Sequence, residues 1–512
     1  MKIKIHLIRV ALLLATLNPQ LSTVFAQGSL TPPGAPAPTM KTLDQVEPRI
    51  IVNAANTPGD AANTFIISAP GSYYLTGNIT GDSGKRGISI QANDVTLDLN
   101  GFALISGGGG AFRGVNVPAV QNNLCIRNGT VRGWTDGGVR TELATGTLAE
   151  KLRLSDNVGA PGLALGNGSA RDCVATGNAT GFVVGNGAEI KDCSASANTT
   201  GFIASDRSMM SGCISTVNTG DGFNGTSYLT IIDCTSSRNG GNGIVVQGSC
   251  SVIRCNASRN TPSGNGIKAG SSCTVADCTA GSNGNDGIFA DSGSMVRGCA
   301  AQANAGNGIS TGDGSALSSC VAVANTLHGI SVGNGSTVIG STANSNSQRG
   351  ISVGFSSTVK DCSALSNVQD GIVTANDCTV TSCTVRRNDG NGITASTGNT
   401  VSECTVAFNG FNGIQVSTDC LVRHNNCRQN SRIIIGWAGI STTGGQNRID
   451  DNNVTGNYVG IRHGSGGNID IRNTASANTI NYNIAGDAIG PIVDMTTGGT
   501  ITSTSPWANF SY

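Results

Sequence analysis

Two adjacent carboxylates, Asp450 and Asp451, and a basic pair, Arg462 and His463, are the residues of this chain best suited to proton chemistry. Two carboxyls can act as acid and base at a glycosidic bond, one of them with its pKa raised to hold the proton. Arg423, His424, Arg432, Arg448 and Trp437 lie on the same stretch, so two of the 4 His and one of the 3 Trp fall within residues 423–463. Loops on a rigid scaffold often carry function, and Trp with Arg suits a sugar ring. The competing reading is an apolar loop, Ile433 to Trp437, folded back over the protein among solvated charges. The candidate roles are therefore Asp450, Asp451, Arg462 and His463 for catalysis, and Trp437, Arg423, His424 and Arg448 for binding.

Sulfur is the other reactive element, with 17 Cys in the chain. Cys173, Cys193, Cys213, Cys234, Cys255, Cys278, Cys299, Cys320, Cys362, Cys383 and Cys404 recur at 20 to 23 residues or a multiple, with Ser341 filling the one gap and Asn425, Asn452 and Asn473 continuing the series. A position that accepts Cys, Ser or Asn wants a small inward side chain, and buried free Cys behaves as a small hydrophobe. Zinc needs three or four ligands converging on one point, which a linear column does not supply. Disulfides between neighbouring repeats are the other alternative; Cys250 and Cys273, five residues before Cys255 and Cys278, are the pair best placed for one. Asp172, Asp192, Asp233, Asp277, Asp361 and Glu403 each precede a member of the Cys column. Asp suits a bend there, and the column by itself does not gather the oxygens that calcium needs.

These columns exist because the chain repeats. Gly-Ile or Gly-Phe returns from Gly181-Phe182 to Gly460-Ile461, usually after 21 residues, as in Gly329, Gly350, Gly371, Gly392 and Gly413. Self-similarity at this period means a solenoid whose turns bury their apolar faces against one another. Within residues 361–383, Cys362 and Ala364 alternate, Asn367 opens a turn, Ile372 and Thr374 alternate again, and Val380 precedes Cys383. That is three short strands with turns between them. A column of Asn stands at one turn, Asn178, Asn198, Asn218, Asn239, Asn260, Asn283, Asn304, Asn325, Asn346, Asn367, Asn388, Asn409 and Asn430; Asn tolerates left-handed backbone and can bond to its copy in the next turn. The step from Gly413 to Gly439 is 26, so a loop of about five residues leaves the regular path there.

Composition agrees. Of 512 residues, 73 are Gly, 12% are charged and 4% aromatic, which suits a narrow core of Ala, Val and Ile. A globular domain of this length would split; a solenoid grows in one dimension. Lys plus Arg equals Asp plus Glu at 31 each, so the net charge makes no case for nucleic acid as partner. Lys2, Lys4 and Arg9 precede an apolar run over 10–17 and small residues up to Ala26, the form of a secretory signal. Residues 27–40 read as a Pro/Gly/Ala-rich linker, 41–85 as an N-terminal cap, 86–485 as the solenoid and 486–512 as a C-terminal cap, with oligomerisation through that cap as an alternative. No later stretch is long and apolar enough to span a membrane once the signal is cleaved.

The pattern of Ile or Val, then Cys or Asn, then Asn, then Gly-Ile resembles the right-handed parallel β-helix repeats of the pectate-lyase-like superfamily over roughly residues 86–485. Residues 94–102 and 505–512 also resemble a group of uncharacterised exported bacterial β-helix proteins. The resemblance implies an all-β fold of about 17 coils, capped at both ends. The hydrolase motifs Asn-Thr-Asp, Gly-His-Gly and Arg-Ile-Lys are absent, as is the lyase signature Trp-x-Asp-His; Arg462-His463-Gly464 is the nearest approach. Three expectations follow. The first is an exported scaffold that binds extended polysaccharide or a cell-surface polymer without catalysis and without a cofactor. The second is a lyase or hydrolase with an atypical site near 423–463, with calcium expected only for a lyase. The third is a spacer or adhesin.

Overall fold

The structure, a computed structural model, describes residues 48–512 except 111, 433–435, 485, 497, 499 and 502. The expected signal (1–26), the linker (27–40) and the Ile433–Ile435 stretch lie outside the described residues.

From Ile50 to the last residues the chain forms a parallel β-solenoid of about 22 turns roughly 21 residues apart, with no helix among the described residues. The turns begin earlier than residue 86: Asn63–Ile67 already pairs with Arg86–Ile90, and Gly71–Tyr74 with Val95–Asp98. The turns thus outnumber the 17 expected, in part because of this earlier start. A typical turn has three strands, here called faces 1, 2 and 3. In one turn they are Ile414–Val416, Leu421–Arg423 and Asn426–Arg428. Each pairs in parallel with its copy in the next turn, so Ile351, Ile372, Ile393 and Ile414 stack in one line. The line continues to Ile440 across the 26-residue step, so the extra residues loop out and the register is kept.

The stacking follows from the alternation. One residue per short strand of faces 2 and 3 points inward and is buried, such as Val401, Val422, Val406 and Cys427. Face 1 contributes the buried Ile column, and near its start Phe182, Phe202 and Phe223 stack face to face at 4.9 and 4.7 Å. Such a narrow core has no room for large side chains from all three faces, which is why Ala, Val and Cys dominate two of them. All 17 Cys are free thiols, Cys250 and Cys273 included. Stacked strands hold their Cα–Cβ bonds parallel, so the Cβ separation stays near the strand spacing of about 4.8 Å, wider than a disulfide accepts. The buried thiols instead donate weakly to carbonyls, as Cys362 Sγ does to the Lys360 carbonyl at 3.1 Å.

Hydrogen-bonded side chains hold the corners. Asn367 donates through Nδ2 to Asn388 Oδ1 at 2.9 Å and to the Ala343 carbonyl at 3.1 Å, and Asn388 Oδ1 also accepts the Asn367 N–H. The ladder starts at Asn157 and runs past Asn430 to Asn478. A second ladder, not anticipated from the sequence, has the opposite sense. Asp286 Oδ1 accepts the N–H of Asn307, Asn307 Oδ1 that of His328, and His328 Nδ1 that of Arg349. The residue before the Cys column adopts left-handed φ in nearly every turn, including Asp172, Asp192, Asp233, Asp277, Asp361 and Glu403. Those acids therefore occupy turn positions, and no group of three or more potential metal ligands occurs among the described residues.

Asn367→Ala removes the acceptor of the Asn346 N–H and Nδ2 groups and the donor to the Ala343 carbonyl, all in the dry interior. At about 1–3 kcal/mol per stranded buried group, we expect a loss of about 3 kcal/mol or more in urea unfolding. Val368→Ala, at an exposed position one residue on, should change stability by less than about 0.5 kcal/mol. Equal effects of the two substitutions would remove the ladder from its structural role.

Candidate functional site

Between faces 2 and 3 the corner residues His424 and Asp451 stack on consecutive turns, both in left-handed backbone with φ of 54°. His424 Nε2 lies 3.4 Å from Asp451 Oδ2, and both side chains are exposed. The outward positions beginning face 3 place Asn426, Asn453 and Thr474 in register beside them. They point out because Cys427, Val454 and Ala475 between them point in. The closing strand Asn509–Ser511 pairs with Thr474–Ser476 and brings the exposed ring of Tyr512 to the same place. Together these residues line a groove of about 600 Å³. Asn425 and Asn452 also line it, with their amides committed to a ladder, but the outward amides beside them are little used by the fold: the contact between Asn426 and Asn453 is a long one of 3.5 Å. The sequence analysis found His424 and Asp451 but missed Asn426, Asn453, Thr474 and Tyr512. The signal for the first three was available in their alternation with inward residues; that of Tyr512 depends on how the tail folds back.

The other candidates lie apart from this groove. Asp450, at the end of a face 2 strand, is buried and clamped by Arg448 and Arg472 at 2.9 and 2.6 Å. Burial pushes its carboxyl up, but the two guanidiniums outweigh that and hold it below the usual range. An acid kept ionised in this way cannot serve as a proton donor near neutrality. Arg423 ends the preceding face 2 strand and is exposed. Trp437 sits on the opposite corner, in the loop between faces 3 and 1, tilted against Phe411 at 5.3 Å. Arg462 covers the Trp437 ring at 5.5 Å and donates to the Gly436 carbonyl at 2.9 Å. Phe411 also borders a depression of about 420 Å³ with Arg349, Gln369, Asp370 and Asp389. The stretch 423–463 thus spreads its candidates over two corners and the interior.

The chain matches the sequence model of the right-handed β-helix region over residues 219–364 and 319–427. No curated protein matches it. Among solved structures, it is similar to the A-module of the mannuronan C-5 epimerase AlgE6 of Azotobacter vinelandii, at 13% identity and a TM-score of 0.25, over 86% of this chain and 91% of that one. A rhamnogalacturonan lyase is similar at 17% identity and 0.26, over 51% and 77%. The receptor-binding domain of the siphovirus 9NA tailspike is similar at 10% and 0.22, over 87% and 75%. Likeness at this level carries no argument about chemistry. No helix among the described residues is long and apolar enough to cross a membrane.

His463 points inside. Its Nδ1 meets Asp487 Oδ2 at 2.5 Å and its Nε2 faces Asp470 Oδ2 at 3.6 Å, with all three side chains sealed from solvent. His463 Nε2 and Asp470 Oδ2 have no other partner. Burial lowers His463, against a smaller opposing effect of Asp487, and raises Asp470 to about 7. A proton on Asp470, donated to the Nε2 of a neutral His463, would give both unpartnered atoms a hydrogen bond. Taken alone, Asp470 contributes stability that is complete below its usual 3.8 and is lost as pH rises through about 7. His463 contributes stability that is present above its usual 6.5 and is lost as pH falls through its lowered value. The two effects run in opposite directions, so they offset each other in part, and the proton of the cluster rests on Asp470 rather than on His463. We expect ¹⁵N NMR to show His463 neutral and Nδ1-protonated below pH 6.5, and Asp470→Asn to abolish the carboxyl titration near 7. An imidazolium at His463 with an ordinary titration step would refute this protonation state.

Proposed function

We propose that the protein is an exported scaffold that binds an extended polysaccharide non-covalently along the outer surface of its C-terminal third. The observation that carries this reading is the groove of Asn426, Asn453, Thr474, His424, Asp451 and Tyr512, whose amide, hydroxyl and aromatic groups lie outside the hydrogen-bond ladders that hold the fold together. Hydroxyl-rich ligands are held by such a mixture of hydrogen-bonding groups and an aromatic surface. Register supports an extended ligand, because the solenoid repeats its outward positions about every 4.8 Å along its axis. The basic start, the apolar run over 10–17 and Ala26 support export. The reading is one of binding without catalysis, because Asp450 is held ionised by Arg448 and Arg472, and His463 is enclosed in the interior.

Affinity electrophoresis of the purified protein in gels containing neutral or acidic polysaccharides tests the proposal, with new reducing ends and ultraviolet-absorbing products followed in parallel. We expect retardation without product. Tyr512→Ala and the double substitution Asn426→Ala/Asn453→Ala should each weaken binding about tenfold, the size of a typical truncated contact at a binding centre. Products that vanish in Asp451→Asn would make the protein an enzyme. Absence of both retardation and product with every glycan would leave a structural spacer.

A further inference from the structure

The last turn of the solenoid is closed by a strand that arrives out of order. Asn509–Ser511 pairs with Thr474–Ser476 on one side and with Ile492–Asp494 on the other, although Ile492 comes first in the chain. The corner ladder of Asn425, Asn452 and Asn473 therefore ends on Asn509, 36 residues beyond Asn473. Ile489 lies over Asp470, so a chain continuing in order would bring Ile492 over Asn473. Ile492 has no side-chain acceptor for the buried Asn473 N–H; Asn509 Oδ1 accepts it at 2.8 Å. This explains why the returning chain, rather than the next residues in sequence, fills the place.

The returning strand is well hydrogen-bonded. The Phe510 N–H donates to the Asn473 carbonyl at 2.8 Å, the Ala477 N–H to the Tyr512 carbonyl at 2.8 Å, and the Tyr482 hydroxyl to the Phe510 carbonyl at 2.9 Å. Its apolar support, by contrast, is missing, because all three inward columns change character at this end. Ile461 gives way to the half-buried Tyr482, Ile449 to Asp470, and Ala475 to Ser511. Among the described residues beyond Ile471, the buried hydrophobic ones are Ala475 and Ala508 alone. The interior under the tail holds instead the sealed side chains of His463, Asp470 and Asp487. At the opposite end the first turns bury Val52, Ile67, Tyr73 and Leu75. Apolar burial is the main favourable term in folding, hydrogen bonds exchanged with water add little net stability, and ordering residues 507–512 costs conformational entropy. A segment held in this way opens locally, and its opening brings water to polar groups rather than to a bare Ile or Val column.

We propose that residues 507–512 dock and undock as a unit while the rest of the solenoid stays folded, and that the groove is complete only in the docked state. The inference rests on the groove reading above and adds a condition to it, since Tyr512 lines the groove only while Asn509–Ser511 is paired. A ligand that touches Tyr512 binds the docked form better than the undocked one. Binding and docking then reinforce each other, and the apparent affinity is reduced by the docked fraction.

Hydrogen–deuterium exchange of the intact protein, read by mass spectrometry, tests the docking. We expect residues 509–512 to exchange at least about a hundredfold faster than Asn426–Arg428 and Asn453–Thr455, which hold the same face in earlier turns. Dextran and polygalacturonate serve as glycan probes. At about ten times the Kd of whichever probe retards the protein in a gel, exchange of 509–512 should slow about tenfold, with Ser363–Leu365 unaffected. Asn509→Ala removes the acceptor of the Asn473 N–H. It should abolish the protection of 509–512 and weaken retardation while leaving the melting temperature unchanged. Exchange of 509–512 as slow as in the earlier turns overturns the proposal. So does a fall in melting temperature with Asn509→Ala as large as that with Asn367→Ala, because either makes the tail part of the cooperative core. Fast exchange that a retarding glycan does not slow overturns the coupling to the groove. If neither probe retards the protein, the groove reading loses its support and exchange of the free protein decides the docking alone: fast exchange supports it, and slow exchange refutes it.

Discussion

The structure depends on corner side chains that satisfy the backbone of the neighbouring turn. Strand pairing leaves polar groups unpaired wherever the chain bends, and at the Asn corner those groups are buried. An amide such as Asn367 meets three of those needs at once: it accepts from the turn before, donates to the turn after, and caps a carbonyl of the preceding turn. Hydrogen bonds to buried groups add little net stability when made, but their loss is costly. The ladder therefore acts mainly as a condition of register. A turn displaced by one residue would strand the buried donors and turn its inward Ile or Val to solvent.

Because the ladders and the inward columns use up the interior positions, chemistry is left to the outward ones. Asn425 and Asn426 illustrate the division. The first is buried, with Nδ2 bonded to the Val401 carbonyl and to Asn452 Oδ1. The second points outward into the groove beside His424. Neighbouring residues of the same type thus serve the fold and the surface, distinguished only by strand phase. His463 shows the reverse. It carries the most reactive side chain of its stretch, yet strand phase and the loop after it enclose the ring between two aspartates.

Much of the fold was legible in the sequence, and for a specific reason. Every turn repeats the same environment, so the Ile, Cys and Asn columns could be aligned by eye and their inward direction deduced from alternation. The N-terminal end was less legible: Asn63–Ile67 belongs to a regular turn that pairs with Arg86–Ile90 but lacks the Gly-Ile marker, so the solenoid was read as starting one turn late. The second ladder was hidden because Asp286, Asn307, His328 and Arg349 share a position without sharing a chemistry; all they have in common is the turn, and three of them a side-chain acceptor. The stretch 423–463 was legible as exceptional. Its organisation was not, since the tail that delivers Tyr512 and the loop that delivers Asp487 are set by three-dimensional return of the chain rather than by spacing.

The 26-residue step between Gly413 and Gly439 has a consequence for how such a protein can change over generations. Ile414 and Ile440 remain stacked although the intervening chain is longer than in other turns. Lengthening a loop further costs only about 0.6 kcal/mol per doubling. Heritable insertions between the stacking residues are therefore close to neutral, and duplication of a whole turn reproduces both of its own mating surfaces. The solenoid behaves as an archive to which material can be added at many points without rewriting the rest, so relatives of this chain are expected to differ more in loop content and in number of turns than in the residues that stack.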